Sequence, residues 1–186
     1  MNTKALPKCA LKLVPLFFCR PNELRRMEWA EINWEKQEWH IPKEKMKTKA
    51  PHIVPLSQQT IEILEGIKPL TGYRQYVFTS PRSPKRPMSD NGVLSALRRL
   101  GIPKEQMTGH GFRAMARTLL DEELDYKIEW IECQLAHAVK DANGRAYNRT
   151  TYLKQRKEMM QSWADYLDKL NAEALKPKVL SGNFGN

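Results

Sequence analysis

The sequence has few cysteines and no long apolar segment. Its three cysteines, Cys9, Cys19 and Cys133, are odd in number and widely separated. Such spacing excludes a disulfide framework or a structural zinc site, and it is typical of a protein in a reducing cytoplasm. The longest apolar run, Leu13 to Cys19, contains Pro15 and is too short to span a bilayer. We therefore expect a cytoplasmic protein with no membrane partner.

Acidic residues are also scarce, with 21 aspartates and glutamates against 31 lysines and arginines. The net charge of +10 favours a polyanionic partner, and nucleic acid before a membrane surface. Neither a glycine-rich phosphate loop nor an acidic metal cluster is evident in the sequence. A basic RNA-binding protein is the plain alternative, and it predicts no preference for duplex DNA.

The first third of the chain carries patterns typical of a small antiparallel sheet. Apolar and polar residues alternate from Trp29 to Trp34, which predicts a half-buried strand. Trp39 and Ile41 begin a second predicted strand, and His52 to Leu56 form a third. The lysine-rich segment Pro42 to Pro51 between them predicts a basic hairpin tip.

The other segments predict a mostly helical α+β protein. Ala5 to Phe18 predicts a short apolar helix interrupted by prolines, and Ser57 suits the N-cap of a helix with apolar residues at three-residue intervals. Further apolar stripes predict helices over Asp90–Leu100, Thr108–Glu123, Lys127–Ala136 and Asn148–Leu170. The proline-rich segment Thr79 to Met88 predicts a loop.

Two arginines stand out by their local context. Arg113 lies three residues after His110 and four before Arg117, so the three side chains share one side of a predicted helix. Arg20 precedes Pro21 and suits the start of a helix. Taken alone, the first pattern is more often a solvated basic face. Arg20 taken alone is more often a surface arginine paired with a nearby carboxylate.

Other candidates are weaker on their own. Lys47 lies among several hairpin lysines, and composition does not separate it from Lys45 or Lys49. His137 follows a predicted helix, where a histidine is more often a cap or a core contact. Tyr147 lies between Arg145 and Arg149, which core packing explains poorly. It suits base stacking, or a nucleophile whose phenolate is favoured by positive charge; Tyr152 is its rival.

The order of these residues resembles the catalytic signature of tyrosine recombinases, the phage-integrase type that cuts and rejoins DNA. The resemblance runs from about Ala5 to Leu170 and is greatest to integrases of satellite prophages and genomic islands. It rests on Arg20-Pro21-Asn22-Glu23-Leu24, Met46-Lys47, His52-Ile53-Val54-Pro55-Leu56, His110-Gly111-Phe112-Arg113, Gln134-Leu135-Ala136-His137, Ala146-Tyr147-Asn148-Arg149 and Trp163-Ala164-Asp165-Tyr166-Leu167.

The resemblance implies a role for each residue of the signature. Tyr147 attacks the scissile phosphate and forms a 3′-phosphotyrosine, while Lys47 protonates the leaving 5′-oxygen. Arg20 and Arg113 clamp the non-bridging oxygens, as their planar forks suit phosphate. His110 and His137 donate hydrogen bonds to the same phosphate, and His110 also takes the tyrosine proton. Glu23 supports Arg20 and His110. The bond energy is kept in the phosphotyrosine, so neither ATP nor metal is implied.

The resemblance also implies the organisation and the partners. We expect a catalytic domain over residues 1–175, without the family's N-terminal arm-binding and core-binding domains, and a flexible tail over residues 176–186. The expected partner is double-stranded DNA at attachment sites, bound as a tetramer at full length, with a monomer for these 186 residues. The expected location is the bacterial cytoplasm, in association with the nucleoid. Candidate phosphate contacts are Lys43, Lys45, Lys49, Arg82, Lys85, Arg86, Arg98 and Arg99.

Two alternatives share this expected fold. A type IB topoisomerase uses the same tyrosine chemistry to relax supercoiled DNA as a monomer. A DNA-binding remnant would keep the fold without activity. Supercoil relaxation separates the first from strand exchange, and covalent trapping on a nicked duplex separates the second.

Overall fold

The computed structural model describes residues 6–137 and 152–176. The predicted nucleophile Tyr147 and nearly all of the predicted C-terminal tail lie outside the described residues. The helices are α1 (Leu6–Phe17), α2 (Pro21–Arg25), α3 (Gln58–Thr71), α4 (Gly92–Arg99), α5 (Gly111–Glu122), α6 (Ile128–Gln134) and α7 (Leu153–Ala174). The strands are β1 (Ile32–Asn33), β2 (Glu38–Ile41), β3 (His52–Pro55), β4 (Thr79–Ser80) and β5 (Ser83–Pro87).

The predicted antiparallel sheet is confirmed, with strand order β1-β2-β3. Trp39 of β2 lies opposite Ile32 on one side and Val54 on the other, and all three side chains are buried. The predicted extent of the first strand is wrong, because residues 29–31 form a 3₁₀ turn. The Glu31 carboxylate accepts the backbone N–H of Glu28 and closes that turn, so only two residues remain for β1.

The prediction of a loop over Thr79 to Met88 is also wrong. The segment forms a two-stranded antiparallel ribbon of β4 and β5, with Thr79 opposite Pro87. A two-stranded ribbon tolerates proline because each strand has an unpaired side that needs no N–H donor. The ribbon exposes its basic residues Lys85 and Arg86.

The core is divided into two clusters that meet at the end of α1. Phe17 packs against Trp39 of the sheet, with ring centroids 5.4 Å apart. The next residue, Phe18, meets Trp163 of α7 edge-on at 6.2 Å and belongs to the cluster between α5, α6 and α7. The Trp163 indole also donates to the Pro15 carbonyl of α1 at 2.8 Å. Residues 19 and 20, which follow Phe18, therefore lie at the boundary between the two core clusters.

Most predicted helices are confirmed, with shifted ends. α1 continues through Pro15 without a break, and Ser57 caps α3 by accepting the N–H of Thr60. α5 begins at Gly111, later than the predicted start, so His110 is its N-cap rather than a helical residue. The sequence pattern puts Tyr152 within the final helix, but it precedes α7 with a left-handed φ of 45°. No helix among the described residues is both long and apolar enough to cross a membrane.

Candidate active site

Arg20 is held by the helix that it precedes. Its backbone is extended, and Pro21 starts α2 with the fixed φ that suits a first helical residue. The buried Glu23 carboxylate accepts the Arg20 backbone N–H at 2.8 Å and its guanidinium at 3.0 Å. Glu23 therefore contacts Arg20 directly, as the predicted supporting role requires. The arginine side chain remains one-fifth exposed.

Gly109, the residue before His110, lies against Pro21, the residue after this arginine. Gly109 is buried, and a Cβ added there would lie only 2.5 Å from the Pro21 ring. A residue without a side chain is needed at this crossing. The Arg113 N–H then donates to the His110 carbonyl at 3.0 Å as α5 begins, while the histidine itself is exposed. The start of α5 is thus packed on the start of α2.

Arg113 is fixed by carbonyl groups from both sides of the site. Its guanidinium donates to Phe18 O and Leu135 O, each at 2.8 Å. Burial lowers the pKa of Arg113, and the positive charge of Arg20 lowers it further. Two like charges are thus held close together, and an anion between them would relieve the repulsion. The solvated basic face, which is the more common interpretation of this pattern taken alone, does not apply to Arg113, because Arg113 is buried whereas Arg117 is exposed.

His137 completes the group through a helix C-terminal turn. Ala136 has a left-handed φ of 51°, the Ala136 N–H donates to Cys133 O, and the His137 N–H donates to Glu132 O. These two bonds define a Schellman ending of α6. The His137 ring lies between the Glu132 carboxylate, 2.5 Å from Nδ1, and an Arg113 nitrogen, 3.2 Å from Nε2.

His52, at the start of β3, lies behind this group. Its Nε2–H donates to Gln134 O at 3.1 Å. Burial lowers the pKa of His52 to about 3, and the charges of Arg156, Arg113 and Arg20 act in the same direction. The ring is therefore neutral at neutral pH. We refer to Arg20, His52, Arg113 and His137 as the arginine–histidine cluster.

The two hairpin lysines on either side of Met46 differ sharply. Met46 is buried, and Lys45 turns inward with its ammonium bound by the carboxylates of Glu28 and Glu31 and by the Arg26 carbonyl. Lys47 is exposed and forms no hydrogen bond or ion pair within the described part of the chain. Lys45 is therefore committed to the fold, whereas Lys47 is available to a ligand.

The predicted DNA contacts divide in the same way. Lys45 is occupied as described, and the Arg98 guanidinium donates to the carbonyls of Ile102 and Met107. These two side chains hold the fold together and are dropped from the set of expected contacts. The other members are exposed in the structure, namely Lys43, Lys49, Arg82, Lys85, Arg86 and Arg99.

Sequence reasoning missed a buried polar junction behind the site. Arg156 of α7 is 1% exposed; it donates to the Gln134 side chain and to the Ile53 carbonyl of β3. It therefore links the strand that follows the hairpin, the helix that precedes His137, and the final helix. The sequence carries one signal of this junction. Arg156 lies on the apolar face of a predicted helix, where a charged side chain is costly unless it has a partner.

Glu132 was missed as well. It is five residues before His137, a spacing that an unbroken helix does not bring together. The left-handed Ala136 brings the two side chains into contact, and an alanine gives little warning of that conformation. Within the predicted set, the structure brings together Arg20, Glu23, Arg113 and His137, with His110 at the adjoining helix start. Tyr147 lies outside the described residues.

This chain belongs to the phage integrase family, whose model matches residues 2–154. It is 41% identical over 172 residues to prophage integrase IntZ of Escherichia coli K12, a match covering 91% of this chain and 42% of the relative. It is 42% identical over 158 residues to prophage integrase IntA of the same strain, covering 85% and 38%. Identity to the integrase of Enterobacteria phage P4 is 38% over 179 residues, covering 89% and 41%. The chain spans about two fifths of these relatives' length.

Solved structures agree on the fold. The integrase of mycobacterium phage Brujita superposes with a TM-score of 0.62 at 15% identity, covering 84% of this chain and 50% of that one. XerA recombinase superposes with a TM-score of 0.55 at 14% identity, covering 94% and 62%. The predicted family and fold class, mostly helical with a small antiparallel sheet, are confirmed.

Proposed function

We propose that this chain is the catalytic part of a tyrosine-type site-specific recombinase that integrates or excises a prophage or genomic island. Tyr147 attacks a DNA phosphate, forms a 3′-phosphotyrosine and releases a 5′-hydroxyl. Strand rejoining reverses these steps. The observation that carries the proposal is that Arg20 and Arg113, which are distant in sequence, lie close enough for the charge of Arg20 to lower the pKa of Arg113, and that His137 contacts Arg113.

The arrangement suits a phosphate that gains charge as it is attacked. Arg113 is already oriented by two carbonyls and Arg20 by Glu23, so little reorganisation is needed when the substrate arrives. Fixed donors aimed at developing charge are the strongest single source of rate enhancement in such sites. Exposed Lys47, on the hairpin that leads into β3, is the donor proposed for the leaving 5′-oxygen. His110 and His137 are proposed to donate to the phosphate, with His110 also the candidate base.

Duplex DNA is the proposed partner, contacted mainly at its phosphates. The exposed lysines and arginines of the hairpin tip and of the β4–β5 ribbon supply charge without reading sequence. We also propose that proteins of the relatives' full length assemble as tetramers on attachment-site DNA, whereas these 186 residues are monomeric. Sedimentation with and without duplex DNA tests both statements.

Covalent capture tests the reaction even though the attachment-site sequence is not defined. Nicked duplexes with a randomised core are incubated with the protein, and denaturant-resistant complexes are isolated and sequenced. Tyr147→Phe removes only the nucleophilic oxygen, so it should abolish the adduct and leave DNA retention nearly unchanged. Tyr152→Phe, five residues later, is the matched control and should keep the adduct.

Three outcomes would overturn parts of this proposal. An adduct that survives Tyr147→Phe and is lost in Tyr152→Phe would reassign the nucleophile. Relaxation of supercoiled plasmid without strand exchange would favour a topoisomerase. Binding that does not distinguish duplex DNA from RNA, with no adduct, would favour a basic binding protein without this chemistry.

A further inference from the structure

Glu132 is a carboxylate in contact with the site that the signature of the family does not include. Leu135 is the C-cap residue of α6, and Glu132 lies three residues before it. The Glu132 side chain is 21% exposed. The Schellman turn places the side chain of His137 over it. In such turns this contact is frequently between two apolar residues. Here it is a carboxylate against an imidazole.

Both oxygens of Glu132 have partners. Oε2 lies 2.5 Å from His137 Nδ1, and Oε1 accepts Arg117 Nε at 2.7 Å. Burial alone would raise the pKa of Glu132, but the hydrogen bonds from Arg117 and His137 outweigh it, so the pKa lies below its ordinary value. The carboxylate is therefore charged at neutral pH and held from two sides.

The contacts of His137 fix the position of its proton. A guanidinium has donors and no acceptor, so Nε2 of His137 must accept the hydrogen bond from Arg113. A neutral imidazole carries one proton, and here that proton lies on Nδ1 and is donated to Glu132. In this state Nε2 has no proton with which to bind a phosphate oxygen.

We propose that Glu132 is a positioning residue that orients His137 and balances the second proton which the ring takes from solvent when a phosphate binds. Nε2 then changes from an acceptor for Arg113 to a donor for the phosphate. The positive charges of Arg113 and Arg20 disfavour a second proton on the His137 ring. The negative charges of the phosphate and of Glu132 together offset this repulsion. The step at the phosphate rests on the recombinase function proposed above, whereas the orientation of the ring does not.

Imidazole nitrogen shifts of the histidine-labelled chain test the orientation. His137→Asn assigns the signal among the four histidines. The parent should carry the His137 proton on Nδ1, and both nitrogens should be protonated when inorganic phosphate is added. Glu132→Ala should weaken this preference, because Arg113 alone then holds the ring, and Glu132→Gln should lose the phosphate-induced protonation. Glu129→Gln, an exposed glutamate on the same helix, should behave as the parent.

Covalent capture tests the catalytic consequence. Glu132→Gln should slow adduct formation about tenfold to a hundredfold, the range found when the carboxylate partner of a metal-binding histidine is removed. The same change made in a His137→Asn protein should cause no further loss, since a residue acting through His137 has nothing left to position. Circular dichroism of each variant separates this effect from unfolding, and the near-isosteric glutamine replaces alanine if alanine prevents folding.

The outcomes separate the two proposals. If the adduct forms and Glu132→Gln equals Glu129→Gln, or if its loss persists in the His137→Asn background, the role of Glu132 is overturned and the recombinase function stands. A His137 proton on Nε2 in the parent also overturns it. If no adduct forms but the nitrogen shifts depend on Glu132, the orientation is supported and the recombinase function fails.

Discussion

The arginine–histidine cluster and the basic outer surface hold positive charge in different ways. In the cluster, Arg113 is bound by two carbonyls and Arg20 by a buried carboxylate. On the surface, the side chains of Lys47, Lys85 and Arg86 extend into solvent without a partner in the described residues. Fixed charges act on one oriented group, whereas mobile charges follow a phosphate backbone at variable positions. The first region therefore suits chemistry and the second suits binding.

The largest effect is expected from removing Arg113. Arg113→Ala should slow adduct formation about a hundredfold to a thousandfold, as loss of one fixed donor to a charged transition state does. Arg113→Lys should not restore the rate, because an ammonium lacks the planar fork that reaches two carbonyls and a phosphate together. Single-turnover capture measures the rate. A parental rate in Arg113→Ala would remove the distinction between the two regions.

Arg113→Ala should also weaken the fold. The carbonyls of Phe18 and Leu135 would lose their buried donor, which costs about 1–3 kcal/mol for groups of this kind. Denaturant unfolding followed by tryptophan fluorescence gives this value independently. The rate should therefore be compared without denaturant, at a temperature where both proteins are folded.

The two lysines beside Met46 provide the second test, since each belongs to a different region. Lys45→Ala leaves the neighbouring carboxylates of Glu28 and Glu31 without their cation and should destabilise the fold by about 3 kcal/mol. Lys47→Ala should leave the unfolding free energy unchanged and slow the cleavage step. Chemical denaturation and covalent capture on both variants measure the two effects. Equal effects of the two changes on both measurements would contradict the assignment.

The third test uses pH and concerns His52. Its pKa is about 3 in the folded protein and ordinary in the unfolded chain, so the unfolded chain binds the extra proton between these values. Stability should therefore fall as pH drops below about 6.5, by about 2 kcal/mol at pH 5. His52→Gln keeps a donor for the Gln134 carbonyl but does not titrate. Its unfolding free energy should fall less between pH 7 and pH 5 than that of the parent, and an equal fall would refute the burial of a neutral ring.

The smallest effect is expected on the basic ribbon. Replacing Lys85 and Arg86 by glutamine should reduce the log–log salt slope of duplex binding by about 0.9 for each phosphate that the ribbon no longer neutralises. The variant should keep the parental stability and the parental cleavage rate at saturating DNA. Lys169→Gln, an exposed lysine on α7 outside the expected DNA-binding residues, is the matched control. An unchanged slope in the ribbon variant would exclude the ribbon from the DNA-binding surface.

The fold was predictable wherever local pattern and burial agree. The stripe of α5 and the cap at Ser57 depend on neighbours in sequence, and both are confirmed. The turn at residues 29–31 was not predictable, because alternation alone gives no sign of the Glu28–Glu31 closure or of the distant Lys45 that binds both carboxylates. The proline-rich ribbon failed for a similar reason, since proline content does not reveal a two-stranded pairing.

The candidate site could likewise be predicted only in part from the sequence. Arg20 and Arg113 were found by resemblance, but composition gave no measure of how deeply Arg113 is buried. Glu132 and His52 were missed because their roles depend on contacts with residues that approach only after folding. Polar residues bound through long-range contacts carry no periodic signal, whereas apolar stripes do.

The junction of Arg156 with Gln134 has a consequence for inheritance. The guanidinium donates two hydrogen bonds to the Gln134 amide oxygen, so an apolar residue at position 134 would remove two hydrogen bonds from a buried cation. Conversely, an apolar residue at position 156 would leave a buried amide without its donor. Each change alone leaves a buried polar group with fewer partners, whereas the two changes together remove both polar side chains. We expect lineages of this protein to keep both residues or to exchange both, which makes the pair a marker of shared descent that no single position provides.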